Sequence, residues 1–90
     1  MKVENSKPVL QFPCDFPLKV IGPNADDFEA LVVDIVRRHV PELDAAAVST
    51  RPSGGGKYLS VSMNFTADSR EQMDALYREL SSHERVVWVL

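Results

Sequence analysis

Residues 57–66 read Lys57-Tyr58-Leu59-Ser60-Val61-Ser62-Met63-Asn64-Phe65-Thr66. Leu59, Val61, Met63 and Phe65 alternate with Tyr58, Ser60, Ser62, Asn64 and Thr66, the period of two of a half-buried strand. One face of this strand suits a core and the other a wetter surface. A sheet with one apolar face needs a second layer over it, and the flanking sequence supplies that layer.

Upstream, Asp15 to Ile21 alternates in the same way, with Phe16, Leu18 and Val20 set against Asp15, Pro17 and Lys19. Pro17 lacks a backbone donor and fits best near an edge or a strand start. Gly22-Pro23 ends this strand. Asn24 then reads as a helix N-cap, followed by Asp26, Asp27 and Glu29 where the helix dipole favours negative charge. Phe28, Leu31, Val32, Ile35, Val36 and His39 recur at helical spacing. Arg37 and Arg38 sit in the last turn, and Val40-Pro41 closes the helix. Ala45 to Arg51 is a weak strand, and Arg51 and Pro52 suit an edge position. Pro52-Ser53-Gly54-Gly55-Gly56 is the clearest loop in the chain.

Downstream, Asp68 and Glu71 read as a capping box ahead of a second helix with the stripe Met73, Leu76, Tyr77 and Leu80. Arg70–Asp74 and Asp74–Arg78 are four apart on its solvated side. Ser81-Ser82-His83 is a short turn. Arg85 to Leu90 forms a last strand that is apolar on both faces, with Trp88 sharing a side with Val86 and Leu90. The order is strand, helix, strand, strand, helix, strand. Right-handed crossovers then place both helices on one face of a four-stranded antiparallel sheet of order 4-1-3-2. The predicted fold is therefore an α+β, ferredoxin-like βαββαβ two-layer sandwich. It spans one domain, residues 9–90, behind a polar N-terminal arm of residues 1–8 that reads as frayed.

Composition narrows the function. The 90 residues are 44% hydrophobic and 26% charged, with a net charge of −3, as expected of a globular domain and not of a general nucleic-acid binder. No apolar run reaches the length of a membrane span. The opening residues Met1 to Pro8 lack the apolar stretch of a secretory signal, so a cytoplasmic location is expected. A lone cysteine, Cys14, provides neither a disulfide framework nor a multi-Cys metal site.

Several stretches together resemble the YbeD-like family of small bacterial proteins. They are Leu10-Gln11-Phe12-Pro13, Lys19-Val20-Ile21-Gly22, Arg38-His39 with Pro41, Ser53 with Tyr58-Leu59-Ser60-Val61-Ser62, Leu76-Tyr77-Arg78-Glu79-Leu80, and Val86 to Leu90. The likeness runs over residues 10–90 as many modest matches. It implies a ferredoxin-like fold similar to the ACT regulatory domains of amino-acid-pathway enzymes, and a link to lipoate metabolism. It carries no catalytic residue.

The residues themselves point away from chemistry. Gly54-Gly55-Gly56-Lys57 is followed by Tyr58 and a strand, not by Ser/Thr and a helix, so it is no P-loop. Cys14 beside Asp15 is poorly placed to form a thiolate. His39 and His83 are far apart in sequence and outside any ligand-spaced cluster, so no metal site is expected. Asp26, Asp27, Asp68 and Glu71 serve as dipole partners and caps. The third strand resembles that of an RNA-recognition sheet, but its open face offers Tyr58 and then Ser60, Ser62 and Asn64, too few aromatics to stack bases.

The expectation is thus a non-enzymatic regulatory or small-ligand-binding module of ACT-like type, without cofactor, nucleic acid or membrane. Its candidate ligand contacts are Arg51, Ser53, Lys57 and Tyr58 around the hairpin and Ser60, Ser62 and Asn64 on the open face. The alternative is a protein-interaction adaptor working through its sheet edge, with Val86, Trp88 and Leu90 as interface. An apolar edge strand needs covering; either Val9, Leu10 and Phe12 fold across it, or a homodimer or another protein partner docks there.

Overall fold

A computed structural model describes residues 11–90. The elements are β1 (Cys14–Pro23), α1 (Phe28–His39), a 3-10 turn (Ala45–Ala47), β2 (Val48–Ser53), β3 (Tyr58–Ala67), α2 (Arg70–Ser82) and β4 (Trp88–Val89). The antiparallel sheet runs β2-β3-β1-β4, the order 4-1-3-2 read from the other side. The arm of residues 1–8, Val9 and Leu10 lie outside the described residues. Phe12 is half-buried and packs against the core.

β1 and β3 pair over their whole length, from Cys14 opposite Ala67 to Pro23 opposite Tyr58. Because side chains alternate, this register puts Leu18 and Val20 on the same side as Val61, Met63, Phe65 and Ala67, and all six are buried. α1 covers them with Phe28, Val32, Ile35 and Val36, and α2 with Met73, Leu76 and Leu80. Both helices therefore lie on one face of the sheet. Phe16 links strand to helix, its ring 6.1 Å from Phe65 and edge-on to Tyr77 at 6.3 Å, a favoured aromatic geometry. Pro17 is tolerated in a central strand for a simple reason. β4 pairs with β1 only near Lys19 to Ile21, so beside Pro17 the ladder is one-sided.

Several boundaries differ from the sequence reading. Asn24 does not cap α1. Its backbone amide donates to the Lys57 carbonyl (2.9 Å) and its side chain to the Gly56 carbonyl (3.0 Å), which ties the end of β1 to the hairpin. The helix starts three residues later with Asp27 at the cap position, and no side chain caps it. The second helix is capped by Ser69, whose oxygen accepts from the Gln72 amide, in place of Asp68 with Glu71. Gln72 in turn accepts from the Asp68 amide and donates to the His39 carbonyl, both at 2.7 Å, so it joins the start of α2 to the end of α1. Ala45–Ala47 is a 3-10 turn because the Asp44 carboxylate accepts from the Ala46 amide (2.9 Å) and closes it. The edge strand begins only at Val48.

The last strand is shorter than Arg85 to Leu90. The amide of Arg85 donates to His83 Nδ1 and that of Val86 to the His83 carbonyl, so residues 83–86 still turn. Pairing with β1 begins at Val87, which donates to the Ile21 carbonyl (2.8 Å), although Trp88 is the residue opposite Ile21. Two residues thus oppose one, as in a β-bulge, which re-aims the side chains around it. Strict alternation fails here: Val86 turns half-buried onto the core, while Val87 and Trp88 are both exposed.

Candidate functional site

Both helices pack on one face of the sheet, and among the described residues no element covers the other. Its rows follow from the registers. Ser53, Tyr58 and Pro23 form one row at the hairpin end. Arg51, Ser60, Ile21 and Trp88 form the next, across all four strands. Ser49, Ser62, Lys19 and Leu90 form the third. There Lys19 and Leu90 exchange both backbone hydrogen bonds, at 3.2 and 2.8 Å. Asn64 lies beyond, opposite Pro17.

Across the first two rows, reaching Leu90 in the third, is a shallow, mainly apolar depression of about 470 Å³, lined by Ile21, Ser53, Tyr58, Val87, Trp88 and Leu90. Four of these side chains are large and exposed: Tyr58 at 41%, Val87 at 52%, Leu90 at 56% and Trp88 at 59%. A contiguous set of exposed apolar groups of this kind marks an interaction surface more often than isolated ones do. The bulge creates it, because without Val87 turned outward the depression would lack one wall.

The structure brings two sets of candidates together. Ser53 and Tyr58, nominated for a ligand, line the same depression as Trp88 and Leu90, nominated for an interface. Arg51 and Ser60 lie in the row that crosses it. Ser62 and Asn64 line a second, smaller hollow of about 260 Å³ that also reaches Lys19 and Leu90. Lys57 closes the hairpin and lends its carbonyl to Asn24. Val86 belongs to the core side. The sequence reading missed Ile21, the floor of the depression, and Val87. Ile21 was visible as an open-face position of β1, whereas Val87 needs the bulge.

The hairpin is a poor anion cradle. Gly54, Gly55 and Gly56 have φ of +60°, +70° and +90°, which only glycine adopts freely. The amides of Gly56 and Lys57 are already taken by the Ser53 and Gly54 carbonyls.

The remaining charged groups sit on the helix side. Arg85 forms a two-pronged pair with Asp27 at 2.7 and 3.0 Å and lies 6.0 Å over the Phe28 ring. Hydrogen bonding from Arg85 holds the Asp27 carboxyl below the usual carboxylate range, against an opposing effect of desolvation and with help from the Arg85 charge. The same contact raises the Arg85 guanidinium. His39 Nε2 meets Glu79 at 2.7 Å, Arg38 pairs with the other Glu79 oxygen, and Arg38 also reaches Asp34 at 3.2 Å. These contacts zip α1 to α2 across the surface. His39 thus joins its own helix to the neighbouring one. Among the described residues no three His, Cys, Asp or Glu side chains gather as a metal set, and no helix is long and apolar enough to cross a membrane.

Comparison with known proteins places this geometry. A family model described as "Protein of unknown function (DUF493)" matches residues 7–90. A UPF0250 protein of Paraburkholderia phytofirmans is 44% identical over 82 residues, 91% of this chain and 92% of the relative. A UPF0250 protein of Neisseria meningitidis serogroup A is 42% identical over 87 residues, 97% and 96% of the two chains. Among solved structures, protein HP0495 of H. pylori superposes with a TM-score of 0.76 at 16% identity, over 100% of this chain and 94% of that one. The ACT domain from GTP pyrophosphokinase of Chlorobium tepidum follows with a TM-score of 0.62 at 9% identity, over 84% of each. At such identities the structural likenesses speak for the fold alone. They bear out the ferredoxin-like, ACT-like architecture expected from the sequence.

Proposed function

The chain belongs to the DUF493 family, and on that premise we propose that it is a non-enzymatic, regulatory binding module of ACT-like type that takes a small metabolite on the open face of its sheet. One observation carries this reading: Tyr58, Val87, Trp88 and Leu90, all exposed, converge with Ile21 and Ser53 on one depression. Its volume and its mainly apolar and aromatic lining with a few polar groups fall in the range of small-molecule sites. The absence of buried polar or charged side chains among the described residues also favours binding over catalysis, since an acid or base tuned for catalysis needs desolvation.

The same place can transmit binding. β4 is a two-residue ladder at the sheet edge, and a ligand touching Ile21, Tyr58 and Trp88 bridges β4, β1 and β3. It prefers the state in which β4 is docked, and that difference in affinity is what a switch requires. Calorimetry with a panel of amino acids and lipoate tests the reading. Binding is expected for at least one member and is lost in Trp88→Ala while the circular dichroism stays native. Silence across the panel, or binding that survives Trp88→Ala, contradicts it.

A second reading, an adaptor that pairs its sheet edge with another protein, draws on the outer side of Val87 to Leu90, which pairs with no strand among the described residues. Sedimentation over a range of concentrations tests its homodimeric form.

A further inference from the structure

Charge is sorted between the two layers. The sequence holds thirteen Asp and Glu residues, and Glu4 lies outside the described region. Of the other twelve, only Asp15 falls in a strand. The rest sit on the helices and their connections. The strands carry two cations, Lys19 and Arg51, and both alternate onto the open face. Among the described residues neither makes an ion pair, whereas Arg38 and Arg85 on the helix side both do.

The positions of these cations suit the depression. Lys19 is two residues from Ile21 on the same face, about 7 Å along the strand, and directly opposite Leu90. It lines the adjoining smaller hollow, which shares Leu90 with the depression, and its flexible four-carbon stem is long enough to reach across that shared edge. Arg51 closes the row Trp88–Ile21–Ser60–Arg51 from the far side. Asp15 lies towards the other end of β1, opposite Thr66. A molecule resting on Ile21, Trp88 and Leu90 thus meets two cationic side chains at the edge of its apolar contact, and among the described residues no Asp or Glu side chain in those rows.

We propose that the open face selects a small molecule in which a flat or branched apolar body is joined to an anionic group. The body lies on Ile21, Trp88 and Leu90, and the anion lies beside Lys19 with Arg51 as the second cation. This rests on the ligand-binding reading above and adds the chemical class. The net charge of −3 gives no long-range steering of anions, so the selection is short-range and weakens with salt.

The test uses a matched pair of probes, 1-naphthoate and neutral 1-naphthamide, titrated into the full chain. The readout is the indole N–H signal of Trp88, the single tryptophan. The expected result is tighter binding of naphthoate by about 2–5-fold, the scale of one exposed charge pair. This preference should shrink at high salt and vanish in Lys19→Gln/Arg51→Gln, while naphthamide binding is unchanged. Equal affinities in the wild type overturn the anionic class and leave the ligand-binding reading standing. A Trp88 signal that neither probe moves overturns both. A signal that moves with protein concentration alone, and that naphthoate does not perturb, assigns the face to a second copy of the chain and also overturns the proposal.

Discussion

The carbonyl oxygen of Arg85 and the Cα of Gly22 are so close that a methyl group on Gly22 would collide with that oxygen. It would also come within 2.5 Å of the Phe28 ring. Gly22 is buried at the point where β1, the start of α1 and the turn into β4 meet. Its role is close approach, since no positive φ is involved. Gly22→Ala is therefore expected to destabilise the fold by about 1–3 kcal/mol, the cost of overpacking a fitted site. Urea denaturation followed by Trp88 fluorescence measures it, and the edge strand should respond first.

The Asp27–Arg85 pair latches that same turn onto the start of α1. Asp27 titrates below its ordinary value in the folded protein. The contribution is thus fully present above the unfolded carboxylate value of about 3.9 and is lost as pH falls through the folded value. Asp27→Asn should lower Tm modestly at neutral pH, and the gap to the wild type should close in strong acid. Melts across that range check the sign. A gap that widens on acidification would contradict it.

Leu76 and Leu80 are wholly buried where α2 meets the sheet. Truncating either to Ala should cost about 2–5 kcal/mol, set by how far the cavity collapses. Chemical denaturation reads this directly.

Gln72 bonds both the Asp68 amide and the His39 carbonyl. Gln72→Ala removes the partner of the exposed Asp68 amide and of the part-buried His39 carbonyl. A loss of about 0.5–1.5 kcal/mol is expected, with faster amide exchange at Asp68. Gln72→Glu keeps the acceptor but not the donor and should restore protection at Asp68 only.

Much of this architecture is legible in residues that obey a period. Leu59 to Phe65 and Leu18 to Val20 alternate in sequence and do so in space, and Met73, Leu76 and Leu80 recur at helical spacing and are buried together. These patterns report burial, which is what the fold must satisfy. What escaped is set by contacts between distant segments. Asn24 has the chemistry of a cap, but the hairpin carbonyls at Gly56 and Lys57 claim it, and no local pattern reveals that. Val86 and Val87 look interchangeable in sequence. A single extra residue opposite Ile21 sends one to the core and the other to the open face. Half of the candidate site was readable from β3 alternation at Tyr58 and Ser60, and the other half depended on that bulge.

The central claim is that the uncovered side of the sheet, centred on Ile21 and Trp88, is where this protein binds. Backbone chemical-shift mapping with the first panel member that binds tests it most directly. Shifts should cluster on Ile21, Ser53, Tyr58, Ser60 and Val87 to Leu90 and leave the outer surfaces of α1 and α2 unmoved. Shifts centred on the helix layer, around Arg38, His39 and Glu79, would contradict it.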